Sequence, residues 1–118
     1  MNKVQLLGRT TKDIELRYTS TNNKEVCNFT LAVNKKFKKE ETDFINCVAW
    51  GSTAKLLDQY VEKGNLIGVC GSIQTRTWDD NDGKKVYVTE VLIDEIDFTG
   101  GKKENRETED QLSFTSKV

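Results

Sequence analysis

The feature that most constrains this chain is hydrophobic alternation at period two. Residues 26–33 put Cys27, Phe29, Leu31 and Val33 on one face and Val26, Asn28, Thr30 and Ala32 on the other. Successive side chains of a strand point to opposite faces, so this pattern predicts a half-exposed strand. Residues 44–51 split the same way. Phe44, Asn46, Val48 and Trp50 oppose Ile45, Cys47 and Ala49. Residues 4–9 read as a first strand, and Ile14, Leu16 and Tyr18 alternate with Glu15 and Arg17. Residues 66–78 form a long strand with Ile67, Val69, Gly71 and Ile73 on one side and Gln74, Arg76 and Trp78 closing the other. Residues 86–93 return as the last long strand, running on to Ile96 and Phe98.

Between these runs the breaks have turn chemistry. Residues 19–24 are a polar turn, and residues 79–83, Asp-Asp-Asn-Asp-Gly, are a hairpin tip. One helix is predicted over residues 54–62, capped by Ser52 or Thr53. Ala54, Leu57 and Val61 share its apolar face, widened by Leu56 and Tyr60. Lys63 suits its C-terminal dipole and Gly64 a left-handed stop. Five strands with one helix between the third and fourth predict an all-β closed barrel, which leaves no open sheet edge. The five-stranded OB-fold, whose sheet face and loops bind oligonucleotides, fits that order. A domain over residues 1–99 is expected. From Gly100 a polar tail, 100–118, balances Lys102, Lys103, Arg106 and Lys117 against Glu104, Glu107, Glu109 and Asp110, and is expected to be disordered.

Composition excludes several functions. The chain has no His and three Cys, so a four-ligand zinc site and the commonest general base are both missing. Cys27, Cys47 and Cys70 sit singly in apolar runs and read as small buried hydrophobes of a reducing cytosol. Residues 1–12 lack the apolar run of a signal peptide, and no stretch is long enough for a membrane span. A nuclease would need clustered carboxylates, and these scatter among turns and strand ends. Asp79, Asp80 and Asp82 lack the spacing and terminal Glu of a calcium loop. The formal charge of −1 does not advertise a polyanion, so local charge must carry any such argument.

Binding an unpaired strand requires flat rings for the bases and cations for the backbone. Phe37 lies in a loop between Lys35, Lys36 and Lys38, Lys39. Either the ring offers a stacking face among phosphate-binding lysines, or it folds over the barrel end. Phe44 and Trp50 share one strand face, outward if Ile45, Cys47 and Ala49 form the core side, inward otherwise. Trp78, with Arg76 on its face, either holds a base beside a cation or clamps the hairpin. Arg9, Arg17, Lys55, Lys84 and Lys85 are weaker candidates for lining a groove. The same barrel could instead serve a protein or sugar ligand, or act as an assembly adaptor through its tail.

Over residues 1–98 the chain resembles the bacterial and phage single-stranded-DNA-binding protein family. The resemblance rests on Asn2-Lys3-Val4 leading to Leu7-Gly8-Arg9, on Lys12-Asp13-Ile14-Glu15-Leu16-Arg17-Tyr18, and on Phe29-Thr30-Leu31-Ala32-Val33-Asn34. It continues through residues 44–50, Lys63-Gly64, residues 71–78 and Tyr87-Val88-Thr89-Glu90-Val91, in this order. It implies sequence-independent binding and protection of single-stranded DNA in replication, recombination and repair, without catalysis or cofactor. It places the four stacking positions on Phe37, Phe44, Trp50 and Trp78, and implies a cytoplasmic homotetramer. The family tail usually ends in an acidic peptide closing on Pro-Phe that recruits replication and repair proteins. Here Glu109-Asp110-Gln111-Leu112-Ser113-Phe114 only echoes it, with no proline, and Thr115-Ser116-Lys117-Val118 follows, which puts tail-mediated recruitment in doubt.

Overall fold

The computed structural model describes residues 1–98, so the segment read as a tail, 100–118, lies outside the described residues. The elements run β1 (Val4–Thr10), β2 (Arg17–Tyr18), β3 (Glu25–Asn34), β4 (Thr42–Trp50), α1 (Gly51–Tyr60), β5 (Leu66–Asp79) and β6 (Lys85–Asp97). Five of the strands are long, and α1 falls between the third and fourth of them, as the alternation predicts. The two-residue β2 is all that forms of the strand read over residues 14–18. Ile14 is buried and Leu16 half-buried beside an exposed Glu15. The alternation there marks which side chains face in, although most of the segment lacks ladder partners.

The sheet order is β1-β5-β6-β4-β3-β2, and a further pairing of β1 with β3 closes it into a barrel. Closure depends on β1 changing neighbours partway along. Val4 to Arg9 pair with β5, while Arg9 and Thr10 pair with Ala32 and Leu31 of β3. Gly8 sits at this changeover, where a Cβ would come within 2.5 Å of the Ala32 carbonyl oxygen. Only glycine lets the two backbones approach so closely. β4 and β6 meet in parallel over Cys47–Val91 and Val48–Leu92 and complete the ring.

The core is filled by the inward residues of each strand, among them Cys27, Phe29, Leu31, Cys47, Ala49, Ile67, Val69, Val91 and Ile93. Cys27 and Cys47 are free thiols, and burial pushes them up to about 11 and about 12, so they act as small apolar side chains. Helix α1 packs on β3, β4 and β6 through Ala54 and Leu57. Burying one such Leu stabilises the fold by about 1.5–3 kcal/mol.

Three details of the helix differ from the sequence reading. It begins at Gly51, with Trp50 at the cap position and no side-chain cap hydrogen bond, so neither Ser52 nor Thr53 caps it. Leu56 is exposed, because it lies about 200° around the helix from Ala54 and so points away from the barrel. The helix ends at Tyr60, not at 62. Val61 leaves the helical path with its side chain fully buried, and its N–H still donates to Leu57 O at 3.0 Å. The turn beyond it is held by Thr10 of β1 rather than by the helix dipole. The Thr10 hydroxyl donates to Glu62 O at 2.9 Å, and Gly64 N–H donates to Thr10 O at 2.9 Å. Lys63 N–H donates to Asp13 Oδ1 at 2.8 Å. Gly64 does adopt a left-handed conformation, φ 86°, in this turn rather than at the helix end.

Strands β5 and β6, of 14 and 13 residues, are the longest of the sheet and form a hairpin. Its tip is the expected turn. The Asp80 carboxylate accepts from the N–H groups of Asp82 and Lys84, and Asp80 N–H donates to Lys84 O. Lower down, a bulge falls where Cys70 opposes Glu95 and Gly71 opposes Ile93. The extra β6 residue, Asp94, keeps Ile93 and Ile96 both directed inward. Ile73 shares a side with Val69 and Gly71 and lies opposite the buried Val91, yet it is exposed. A Cβ on Gly71 would lie 1.9 Å from the Leu92 carbonyl oxygen. Since that atom is backbone, Gly71→Ala is expected to destabilise the fold by about 3 kcal/mol, the upper range for overpacking. Urea unfolding checks this; a change below about 0.5 kcal/mol, the usual range for an innocuous surface substitution, would mean the bulge relaxes freely.

Candidate nucleic-acid interface

One face of the barrel is built from side chains that point away from the core. In β3 and β4, Asn28 lies opposite Val48, Thr30 opposite Asn46 and Ala32 opposite Phe44, with Val26 opposite Trp50 at the far end. Because Ile45, Cys47 and Ala49 turn inward, Phe44, Asn46 and Trp50 turn outward. The residues Arg17, Asn28, Thr30, Asn46, Arg76 and Glu90 line a groove of about 410 Å³. The β5–β6 hairpin supplies one wall, and the segment from Thr11 to Arg17 closes another side.

Six aromatic rings among the described residues are left accessible, Tyr18 and Tyr87 besides the four that the sequence singles out. Phe37 is 89% exposed, Phe44 67%, Trp78 49% and Trp50 42%. Phe37 stands in the β3–β4 loop, which is held by Lys35 N–H to Glu41 O at 3.0 Å and Glu41 N–H to Lys38 O at 2.8 Å. Phe44 and Trp50 are separated by roughly 20 Å along β4 at about 3.3 Å per residue, too far to hold the same base. Trp78 lies toward the hairpin tip on the side of β5 that carries Arg76 and Gln74. Phe44 and Trp50 thus share a strand face with the groove residue Asn46, and Trp78 with Arg76, although the groove lining itself includes none of the four rings.

The four loop lysines are not equivalent. Lys35 pairs with Asp43, and Lys38 approaches Glu41 at 4.0 Å. Lys36 lies over the Phe37 ring, 5.4 Å from its centroid. Among the described residues Lys39 makes no ion pair. Arg76 donates from Nε to Glu90 Oε2 at 3.1 Å. Arg9 is exposed and its Nη1 donates to Gly64 O at 3.0 Å; like the four loop lysines, it is not among the residues lining the groove. Lys55 is taken up by Glu25 at 2.9 Å. That hydrogen bond lowers the Glu25 carboxyl from its ordinary range and raises the Lys55 ammonium.

Charge along the groove is mixed: Lys12, Arg17 and Arg76 stand with Asp13, Glu15 and Glu90. Two of these carboxylates are committed within the fold. Asp13 accepts from Lys63 N–H, and Glu90 accepts from Gln74 and Arg76. Sequence reasoning did not single out Asn28, Thr30, Gln74 or Glu90 as site residues. A usable signal was present, since the Asp80–Lys84 turn fixes the hairpin register and so sets Gln74 opposite Glu90. Among the described residues no group of three or more His, Cys, Asp or Glu side chains could hold a metal ion, and no helix is long and apolar enough to cross a membrane.

A five-stranded OB-fold barrel with a polar groove and exposed rings is an oligonucleotide-binding architecture. Comparison with known proteins narrows the class. Residues 1–99 match the single-strand binding protein family, and the chain belongs to it. It is 50% identical to single-stranded DNA-binding protein 2 of Clostridium acetobutylicum over 93% of this chain and 86% of that one. With single-stranded DNA-binding protein 2 of Listeria monocytogenes it shares 44% identity over 100% of this chain and 76% of the relative. Among solved structures, the Plasmodium falciparum SSB complex with ssDNA superposes with a TM-score of 0.73 at 26% identity, covering 83% of this chain and 94% of that one.

Proposed function

We propose that this chain binds and protects single-stranded DNA without regard to sequence and without catalysis. The observation that carries the reading is the exposure of Phe37, Phe44, Trp50 and Trp78 on an OB-fold barrel that also carries a polar groove lined by Arg17, Asn28, Thr30, Asn46 and Arg76. Unstacked bases offer ring faces to such side chains, whereas a duplex keeps its bases inside the helix. Any base can stack, so sequence matters little. Two of the three groove carboxylates that a hydrolytic site would need free are engaged, Asp13 by the Lys63 N–H and Glu90 by Gln74 and Arg76. The reading extends to the cytoplasm and to DNA replication, recombination and repair. The domain proposed to do this is residues 1–99, with 100–118 as a tail whose recruitment of other proteins stays a separate proposal.

We assign stacking to Phe37, Phe44, Trp50 and Trp78 and backbone contacts to Lys35, Lys36, Lys38, Lys39, Arg76 and Arg9. Trp fluorescence titrated with a dT homopolymer should fall on binding. Trp50→Ala and Trp78→Ala should each weaken binding by about 1–3 kcal/mol, the usual range for one stacked base. A folded variant with unchanged affinity would make that ring structural.

The lysines should divide by their pairing. Converting Lys36 and Lys39 to Gln is expected to flatten the log–log salt slope by about 1.4, at about 0.7 per phosphate contact on a single strand. Converting Lys35 and Lys38 should flatten it less, because Asp43 and Glu41 already neutralise them. Equal effects would reject the distinction.

Assembly as a homotetramer belongs to the same reading, and the exposed Leu7 on β1 supplies an apolar element that a second copy could cover. Several grooves in one particle would raise the effective concentration of each for a long strand. Light scattering should give four times the 13.5 kDa chain mass. A monomer at micromolar concentration would overturn the tetramer and leave the groove assignment standing.

A further inference from the structure

We propose that Glu90 is a positioning residue that aims the Arg76 guanidinium at a phosphate of the bound strand. The inference rests on the reading of this groove as a single-strand site. Glu90 is the one buried charged residue among the described residues, 5% exposed. A carboxylate facing a groove that takes a polyanion repels its ligand, and burying it is unfavourable unless donors compensate. Both donors are present and converge on one oxygen. Gln74 Nε2 donates to Glu90 Oε2 at 2.8 Å, and Arg76 Nε donates to the same atom at 3.1 Å.

The register explains the geometry. Gln74 is the direct cross-strand neighbour of Glu90, while Arg76 opposes Val88 and reaches Glu90 on the diagonal. Arg76 uses only its Nε–H in this contact. Its Nη groups make no other hydrogen bond among the described residues, and the side chain is half exposed. A guanidinium held through Nε presents its Nη pair end-on, the edge that takes two phosphate oxygens together. Glu90 thus removes rotamers from a long side chain before the ligand arrives, and less ordering remains to oppose binding. Gln74 fixes the carboxylate in turn.

Two effects of Glu90 oppose one another, and the sign of one substitution separates them. If Glu90 only repels phosphate, Glu90→Ala tightens binding. If it positions Arg76, Glu90→Ala weakens binding even though a negative charge is removed. The experiment measures affinity for a labelled dT homopolymer across a range of NaCl for Glu90→Ala, Glu90→Gln, Arg76→Ala and the double variant E90A/R76A. Losing one charge-assisted contact should weaken E90A about tenfold and flatten its salt slope by about 0.7, as in R76A. The double variant should bind no more weakly than R76A alone. Glu90→Gln keeps an acceptor oxygen and should restore most of the loss. Binding by E90A as tight as wild type or tighter overturns the proposal, as does an additive loss in the double variant. Thermal melting verifies each fold. If E90A does not fold, Arg76→Lys decides, because lysine keeps the charge but cannot offer one N–H to Glu90 and a fork to phosphate. It should bind like R76A, and wild-type affinity overturns the proposal. Failure of the wild-type chain to bind the dT strand would instead reject the groove reading itself.

Discussion

The structure depends on β1 serving two neighbours. A strand that pairs with β5 over Val4 to Arg9 and then with β3 at Arg9 and Thr10 turns an open sheet into a ring. The switch demands close backbone approach, and Gly8 permits it. Thr10, buried at the end of the same strand, then holds the turn after α1 through its hydroxyl and its backbone. Barrel closure and helix placement are therefore one event. Without it, Ile67, Val69, Leu31 and Leu57 would not share a core.

Closure also explains why aromatic rings can be left in solvent. The interior of a small barrel is filled by one inward side chain from every second position, and here Cys, Ala, Val, Ile and Leu do most of that filling. Cys47 lies between Phe29 of β3 and Val91 of β6, and Ala49 lies opposite Cys27 of β3, so small side chains fill this part of the interior. The large residues Phe44 and Trp50 consequently fall on the outer face, where burial contributes little to stability. Ring area spent on solvent is area available to a ligand. The polar side chains between the rings, Asn28, Thr30 and Asn46, keep the face wet, and two of them are hydrogen-bonded to each other, Thr30 Oγ1 to Asn46 Oδ1 at 3.4 Å.

Much of this was legible before the fold was known. The alternation in residues 26–33 and 44–51 separates core from face because strand geometry makes it do so, whatever the strands pack against. The turn chemistry of residues 79–83 gives the hairpin, since Asp80 satisfies the tip through its own carboxylate. The helix ends were less legible. Ser52 and Thr53 have the right chemistry for a cap, but the sharp exit from β4 starts the helix at Gly51. Val61 belongs to the helix by pattern and to the core by packing, and packing prevails.

The sequence by itself determined the strand faces, the single helix, the shared face of Phe44 and Trp50, and the lysines around Phe37, because each follows from local periodicity or local composition. Only the tertiary structure decided which partners the cations take. Arg9 turns to the Gly64 carbonyl, Lys55 to Glu25 and Lys35 to Asp43. It also decided that Glu90 is buried beneath Arg76 rather than solvated. Such pairings join residues from 8 positions apart, Lys35 and Asp43, to 55 apart, Arg9 and Gly64, and composition alone does not encode them. They arise only when the β-ladder registers and the closure of β1 bring those side chains within hydrogen-bonding distance.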